Sequence, residues 1–147
     1  MKVVIIGGVA GGATAAARLR RLNEDAQIIL VERGKYISFA NCGLPYHIGG
    51  AIAKREDLLI QTPEQMAQRF KIEIRTRNEA VRIFPTQKKV QIQDLETRTN
   101  YEESYDYLVL SPGAEPIRPH LPGIELPGIF TLRTMDDMDQ IKDQITA

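Results

Sequence analysis

The sequence predicts an α/β fold in which helices cover a parallel central sheet and a small antiparallel β-meander forms a third layer. Residues 3–6 and 27–31 are continuous apolar runs, which are typical of parallel strands buried on both faces. A glycine-rich turn and an alanine-rich segment separate the two runs, as in a strand–helix–strand unit. From residue 80 to residue 105, apolar and polar residues alternate instead, which indicates antiparallel strands with one face in water.

The first strand passes through the turn Gly7-Gly8-Val9-Ala10-Gly11-Gly12 into a helix that we predict over residues 11–23. The second strand ends at Glu32, and we expect a loop with a short helix over residues 33–52. A strand, a glycine turn, a helix, a second strand and a terminal acid therefore follow one another within the first 32 residues.

The predicted first helix has two distinct faces. Ala15, Leu19 and Leu22 recur at helical spacing, so we expect this stripe to face the sheet. Ala16, beside this stripe, is small enough to let the helix approach the sheet closely. The opposite face carries Thr14, Arg18 and Arg21 at i, i+4 and i+7. Periodicity alone favours an ordinary solvated face for these three residues.

A second helix begins after Thr62, which is a capping residue followed by Pro63 and, three positions on, by Gln65. This helix is predicted to end near Phe70. Residues 72–75 then form a third strand.

The antiparallel region comprises residues 81–83 and 90–92, with a third strand predicted over residues 99–103. Residues 107–110 return to the buried parallel type. The proline-rich residues 116–127 predict an irregular connection.

Composition excludes several classes of function. Nineteen basic residues balance nineteen acidic ones, so no global field attracts nucleic acid or an anionic membrane. The N-terminus lacks a signal peptide and no stretch is long enough to span a membrane, so we expect a cytoplasmic protein. A single cysteine excludes an internal disulfide, and neither His47 nor His120 has a second ligand at metal spacing.

The first 32 residues have the pattern of a dinucleotide-binding unit. Its glycines permit close approach to a pyrophosphate, and the helix N-terminus supplies N–H donors. Glu32, twenty positions after Gly12, suits the hydroxyls of an adenosine ribose and argues against a 2′-phosphate. One position departs from the G-x-G-x-x-G pattern, because Val9 replaces the middle glycine. Gly8 and Gly11, on either side of this position, can compensate for the missing middle glycine.

Cys42 is the candidate reactive group. If residues 43–48 form a helix, the sulfur lies at its N-terminal end, where unpaired N–H groups favour a thiolate. The alternative is a small buried apolar side chain, which is common for an isolated cysteine.

The stretch Ser38-Phe39-Ala40-Asn41-Cys42-Gly43-Leu44-Pro45-Tyr46 resembles the single-cysteine branch of the FAD-dependent pyridine nucleotide–disulfide oxidoreductases. Within that branch it is similar to coenzyme A disulfide reductases and NADH-dependent persulfide reductases. The resemblance implies a Rossmann-like FAD-binding domain. It also implies that NAD(P)H reduces FAD and that FAD reduces Cys42. Two-cysteine relatives carry a partner cysteine at the position of His47, so here Cys42 must form a mixed disulfide with an external thiol.

The resemblance also assigns binding residues. The implied FAD site comprises Gly7, Gly8, Val9, Ala10, Gly11, Gly12, Glu32, Arg33, Asn41, Ser111, Pro112 and Gly113. The implied coenzyme A site comprises Thr14, Arg18, Arg21, Ser38, Asn41 and Lys71. An ordinary turn is the alternative for residues 111–113.

We expect residues 1–134 to be the N-terminal part of the FAD-binding domain, since the sequence contains no second glycine fingerprint. Residues 135–147 then form a helix, with Met138, Ile141 and Ile145 on one face, that leads to an absent NAD(P)H-binding domain. The expected parent enzyme is a homodimer that acts on a small disulfide or persulfide. Two alternatives are an NADH oxidase or peroxidase of the same superfamily and a nucleotide-binding module without catalysis.

Overall fold

A computed structural model describes residues 1–146, and Ala147, the last residue of the predicted terminal helix, lies outside them. The chain forms two compact units. The sheet unit consists of Met1–Phe39 and Gln61–Gly113. The second unit consists of Ala40–Ile60 and the residues from Ala114 onward.

The elements follow in the order β1 (Lys2–Ile6), α1 (Gly11–Leu22), β2 (Gln27–Glu32), α2 (Leu44–Ile48), α3 (Pro63–Phe70), β3 (Glu73–Thr76), β4 (Asn78–Phe84), β5 (Lys89–Asp94), β6 (Asn100–Ser104), β7 (Tyr107–Leu110) and α4 (Met135–Thr146). Short 3₁₀ turns lie at Asn41–Gly43, Arg55–Leu58 and Pro85–Gln87.

In the sheet unit, four parallel strands form the central sheet in the order β3-β2-β1-β7. Val4 of β1 lies between Ile29 of β2 and Leu108 of β7. A separate antiparallel sheet has the order β4-β5-β6. The predicted parallel sheet and β-meander are therefore confirmed.

Apolar clusters cover both faces of the central sheet. Val3, Ile5 and Leu30 pack with α1 and α3 on one face. Val4 and Ile29 pack with Val90 and Ile92 of β5 on the other face. The meander is thus a third layer.

Two strand predictions were wrong in their burial. Strand β7 is an edge strand with a single neighbour, so Tyr107 is 62% exposed and Leu110 is also exposed. In β4, Val81 and Ile83 are both exposed, although the alternation predicts that they share a buried face, and the register of the strand shifts between Ala80 and Arg82.

The predicted stripe on α1 was also wrong in part. Ala13 and Ala16 are buried against the sheet, whereas Leu22 is 67% exposed at the last residue of the helix. Small side chains form the contact face because they let the helix axis approach the strands closely. The opposite face is as predicted, since Thr14, Arg18 and Arg21 are all exposed.

Helix α3 begins as predicted, with a complete capping box. Thr62 Oγ1 accepts a hydrogen bond from the Gln65 N–H, and Gln65 Oε1 accepts one from the Thr62 N–H. The helix ends at Lys71, which has the left-handed conformation with φ 48° and ψ 51°.

In the second unit, α2 contacts α4, whose Met135 and Met138 are buried. Arg55 donates two hydrogen bonds to the Asp139 carboxylate, from Nε at 2.8 Å and from Nη2 at 2.7 Å. The proline-rich connection is irregular, as predicted, and leaves Ile117 90% exposed. Among residues 1–146, none of the helices combines the length and apolar character needed to cross a membrane.

Candidate functional site

The glycine turn after β1 is closed so tightly that two of its positions exclude any side chain. Gly7 has φ +95°, and a Cβ there would lie 2.0 Å from the Ser111 carbonyl oxygen. A Cβ at Gly12 would lie 1.7 Å from the Gly7 carbonyl oxygen. Helix α1 can therefore begin directly against the turn, and its first turn contains no acidic side chain. Such a helix N-terminus suits an anion.

The departure at Val9 does not disturb this arrangement. Gly8 is the close-packed residue, because a Cβ there would lie 2.8 Å from the Leu30 side chain and 2.9 Å from that of Ile37. Val9 is only half-buried.

Glu32, at the end of β2, is bonded directly to this turn. Its Oε2 accepts the Gly8 N–H at 2.6 Å, and its Oε1 accepts the Gly34 N–H at 2.7 Å. The adjacent Arg33 pairs with Glu79 at 3.8 Å. The carboxylate is held at the carboxyl end of the sheet, which is where open α/β sheets bind ligands.

Residues 111–113 also lie at this end of the sheet. The Ser111 N–H donates to the Ile6 carbonyl at 2.8 Å. A Cβ at Gly11 would lie 3.3 Å from Ser111 Oγ. The structure therefore brings Ser111 together with the glycine turn, and Pro112 and Gly113 follow it in the chain.

Three cations of the sheet unit, Arg18 and Arg21 on α1 and Lys71 after α3, are exposed, and we call them together the cationic surface. Lys71 is exposed at the end of α3, and Arg20 donates to its carbonyl at 2.8 Å. Arg21 Nε donates to the Ala17 carbonyl at 3.1 Å. Ser38, with φ 46°, donates its N–H to the Gly8 carbonyl at 3.0 Å. Sequence reasoning missed Arg20 because two of its acceptors, the carbonyls of Phe70 and Lys71, lie about fifty positions away in the chain.

Cys42 belongs to the second unit and is exposed. It lies in the 3₁₀ turn Asn41–Gly43, and α2 begins only at Leu44, one residue later than predicted. The next residues, Gly43 and Leu44, are buried instead. The alternative of a buried apolar cysteine is therefore wrong. Asn41 Nδ2 donates to the Arg133 carbonyl at 3.4 Å, which fastens the turn within its own unit.

Hydrogen bonds hold the His47 ring on both of its nitrogens. The side chain is buried, with Nδ1 2.7 Å from the Ile52 carbonyl oxygen and Nε2 3.1 Å from Lys142 Nζ. The carbonyl contact requires Nδ1 to carry the proton, so Nε2 accepts from the lysine. Within the described residues, His, Cys, Asp and Glu side chains form no group of three or more suited to a metal ion.

Comparison with known proteins covers the whole chain. The pattern of the family described as pyridine nucleotide-disulphide oxidoreductase matches residues 1–147. Coenzyme A disulfide reductase from Staphylococcus aureus is 41% identical over 146 residues, which are 99% of this chain and 33% of that protein.

Two solved structures also match the chain over almost its whole length. The crystal structure of reduced Bacillus anthracis CoADR-RHD is 55% identical with a TM-score of 0.96, over 99% of this chain and 26% of that one. The NAD-dependent persulfide reductase from A. fulgidus is 37% identical with a TM-score of 0.94, over 99% of this chain and 27% of that one. The chain thus spans about a third or less of each relative.

The strand–turn–helix–strand unit ending at Glu32, the stretch around Cys42 and these matches confirm the resemblance noted in the sequence: the chain belongs to the pyridine nucleotide-disulphide oxidoreductase family.

Proposed function

We propose that this chain is the N-terminal part of an FAD-dependent reductase in which electrons pass from NAD(P)H through FAD to Cys42. The reduced thiol then cleaves coenzyme A disulfide, or a persulfide of coenzyme A or another small thiol. One observation carries the proposal: the chain's single sulfhydryl is exposed on a hydrogen-bonded turn and has no partner cysteine. In this assignment residues 1–134 belong to the FAD-binding domain, and residues 135–147 lead to the NAD(P)H-binding domain of a homodimeric parent.

The residues at the carboxyl end of the sheet fit FAD. Gly7 and Gly12 let the turn close tightly against the start of α1, and the first turn of α1 contains no acidic side chain that would repel a pyrophosphate. Each oxygen of Glu32 accepts one backbone N–H and keeps a lone pair for a ribose hydroxyl. Bound FAD supplies the two-electron step between NAD(P)H and sulfur. The remaining proposed contacts are Gly8, Val9, Ala10, Gly11, Arg33, Asn41, Ser111, Pro112 and Gly113.

Cys42 acts by thiol–disulfide exchange. Its thiolate attacks one sulfur of the disulfide, the S–S bond breaks, one coenzyme A thiolate leaves, and Cys42 is left in a mixed disulfide. Reduction of this mixed disulfide takes two electrons, which bound FAD would supply, and two protons. It returns Cys42 to the thiol and releases the second coenzyme A as a thiol. Position 47 is a histidine and Cys42 is the single cysteine of this chain, so an internal disulfide within the chain cannot replace the mixed one.

The cationic surface supports coenzyme A compounds as the substrate class. Of the residues proposed for coenzyme A, Thr14, Arg18, Arg21, Ser38 and Lys71 belong to the sheet unit, and Asn41 belongs to the second unit. Guanidinium and ammonium groups bind phosphates through charge-assisted hydrogen bonds, and coenzyme A carries three phosphate groups. A disulfide without phosphates would leave this surface unused.

Mass spectrometry of the purified chain tests the proposal. After reduction, incubation with coenzyme A disulfide should add one coenzyme A through a bond that dithiothreitol reverses, and peptide mapping should place it on Cys42. The Cys42→Ser chain is the control and should stay unmodified. An unreactive Cys42 would contradict the reductase assignment and favour a nucleotide-binding module. Conversion of Cys42 to a sulfenic acid by peroxide, without reaction with the disulfide, would favour the oxidase or peroxidase alternative.

A further inference from the structure

Arg20 makes four hydrogen bonds, all to backbone carbonyls at the ends of two helices. Its Nε donates to the Phe70 carbonyl at 2.8 Å and its Nη2 to the Lys71 carbonyl at 2.8 Å. Its Nη1 donates to the carbonyls of Asn23 at 3.2 Å and Glu24 at 2.5 Å. The guanidinium therefore joins the C-terminal end of α1 to the C-terminal end of α3.

These acceptors are groups that a helix cannot satisfy by itself. The last carbonyls of a helix have no intrahelical donor, and they carry the negative end of the helix dipole. A planar guanidinium can satisfy carbonyls on both sides at once, because its N–H groups point outward in a fixed fork. A lysine at the same position keeps the charge but cannot make this arrangement.

The contact also holds Lys71 in an unusual backbone conformation. Lys71 has the left-handed backbone conformation, which residues other than glycine seldom adopt without support. Its N–H donates to the Ala67 carbonyl, and its own carbonyl accepts from Arg20. The two peptide groups that flank the Lys71 Cα are thus fixed from both sides.

We infer that Arg20 is a positioning residue for the phosphate-binding cations, and this inference depends on the proposed function. Arg18 and Arg21 project from α1, and Lys71 follows α3. By joining the two helix ends, Arg20 sets the spacing between the Lys71 ammonium and the two guanidinium groups without itself binding the ligand. The positive charge of Arg20 does not by itself explain why an arginine occupies this position, because its N–H groups donate to backbone carbonyls.

Titration calorimetry of the 147-residue chain tests this inference with two probes, coenzyme A and pantetheine, which lacks the nucleotide phosphates. Arg20→Lys keeps the charge and should weaken coenzyme A binding at least about fivefold, while pantetheine binding stays the same. Amide hydrogen exchange at Lys71 and Ile72 should become faster. Arg82→Lys is the matched control on β4, where the guanidinium stacks on Phe84 at 5.0 Å, and it should change neither quantity.

Wild-type affinity for coenzyme A in the Arg20→Lys chain would overturn the inference. The proposed function fails separately, and this inference with it, if the wild-type chain binds coenzyme A no better than pantetheine or if Arg18→Ala/Arg21→Ala leaves coenzyme A binding unchanged. If Arg20→Lys does not fold, hydrogen exchange in the wild type decides. The Arg20 Nε–H and the Lys71 and Ile72 amides should be protected, and free exchange at these sites would overturn the inference.

Discussion

The Glu32 carboxylate accepts the backbone N–H of Gly8 at 2.6 Å, which ties the end of β2 to the turn that follows β1. Its second oxygen accepts the Gly34 N–H at 2.7 Å, so both oxygens serve the backbone. Glu32 therefore shapes the glycine turn in addition to the ribose contact that we propose for it.

Glu32→Gln should lower the free energy of unfolding by about 1–3 kcal/mol, because the amide NH₂ must face one of two N–H donors. Urea denaturation of the purified chain measures this. Glu96→Gln is the control, since Glu96 is an exposed partner of Arg77 and its loss should cost at most about 1 kcal/mol. Equal losses in the two variants would show that the Glu32 bonds do not stabilise the turn.

Glu32 should also discriminate between adenosine nucleotides. ADP-ribose should bind the chain at least about tenfold more tightly than its 2′-phosphorylated form, because the added phosphate would meet the Glu32 carboxylate. Calorimetric titration with each compound gives the ratio. Tighter binding of the phosphorylated form would argue against a ribose contact by Glu32.

Two neighbouring glycines in α1 should respond differently to alanine. Gly12→Ala should cost at least about 3 kcal/mol or prevent folding, since the new Cβ would lie 1.7 Å from the Gly7 carbonyl oxygen. Gly11→Ala places its Cβ 3.3 Å from the Ser111 hydroxyl and should change stability by at most about 1 kcal/mol. Thermal unfolding of both chains measures the difference. If Gly12→Ala were as stable as the wild type, the turn could not be closed against the Gly7 carbonyl oxygen.

Glu103 makes stability depend on pH. Burial acts to raise the pKa of Glu103, but hydrogen bonds from Lys2 and Arg75 outweigh it and hold the pKa below its ordinary value of 4.5. A pKa that is lower in the folded chain adds stability above pH 4.5, and this stability is lost as the pH falls through the folded pKa.

Glu103→Gln should therefore cost about 1–3 kcal/mol at neutral pH, and the difference from wild type should shrink in acid. Urea denaturation as a function of pH tests this. Glu102→Gln on the same strand is the control, because Glu102 is half-exposed in its pair with Lys89. If the loss of stability in Glu103→Gln stayed constant down to acid pH, it would contradict a lowered pKa of Glu103 in the folded chain.

The sequence predicted local features well because their causes are local. The capping box at Thr62, the strand–turn–helix–strand unit and the acid at position 32 all follow from spacing along the chain. Exposure of Leu22 and Tyr107 was not predictable, since it depends on which side of α1 meets the sheet and on which strand forms the edge.

The candidate site likewise contains residues that the sequence pointed to and residues that it did not. The glycine turn, Glu32 and Ser111 lie together in the structure, because parallel strands place their carboxyl ends at one edge. Their contacts with FAD stay predictions. Arg20 was missed, because a residue that bonds distant carbonyls leaves no pattern in the sequence. The roles of Cys42 and Asn41 toward flavin and substrate stay predictions.

The proposed function depends on exchange of the Cys42 thiol with an external disulfide that carries phosphates. Its most direct test is the rate at which Cys42 in the reduced chain reacts with coenzyme A disulfide and with pantethine, which has the same disulfide and pantetheine arms but lacks the phosphorylated nucleotides. We expect coenzyme A disulfide to react at least about tenfold faster at low salt, and Arg18→Ala/Arg21→Ala to remove most of that advantage. Equal rates for the two disulfides in the wild-type chain would contradict the claim.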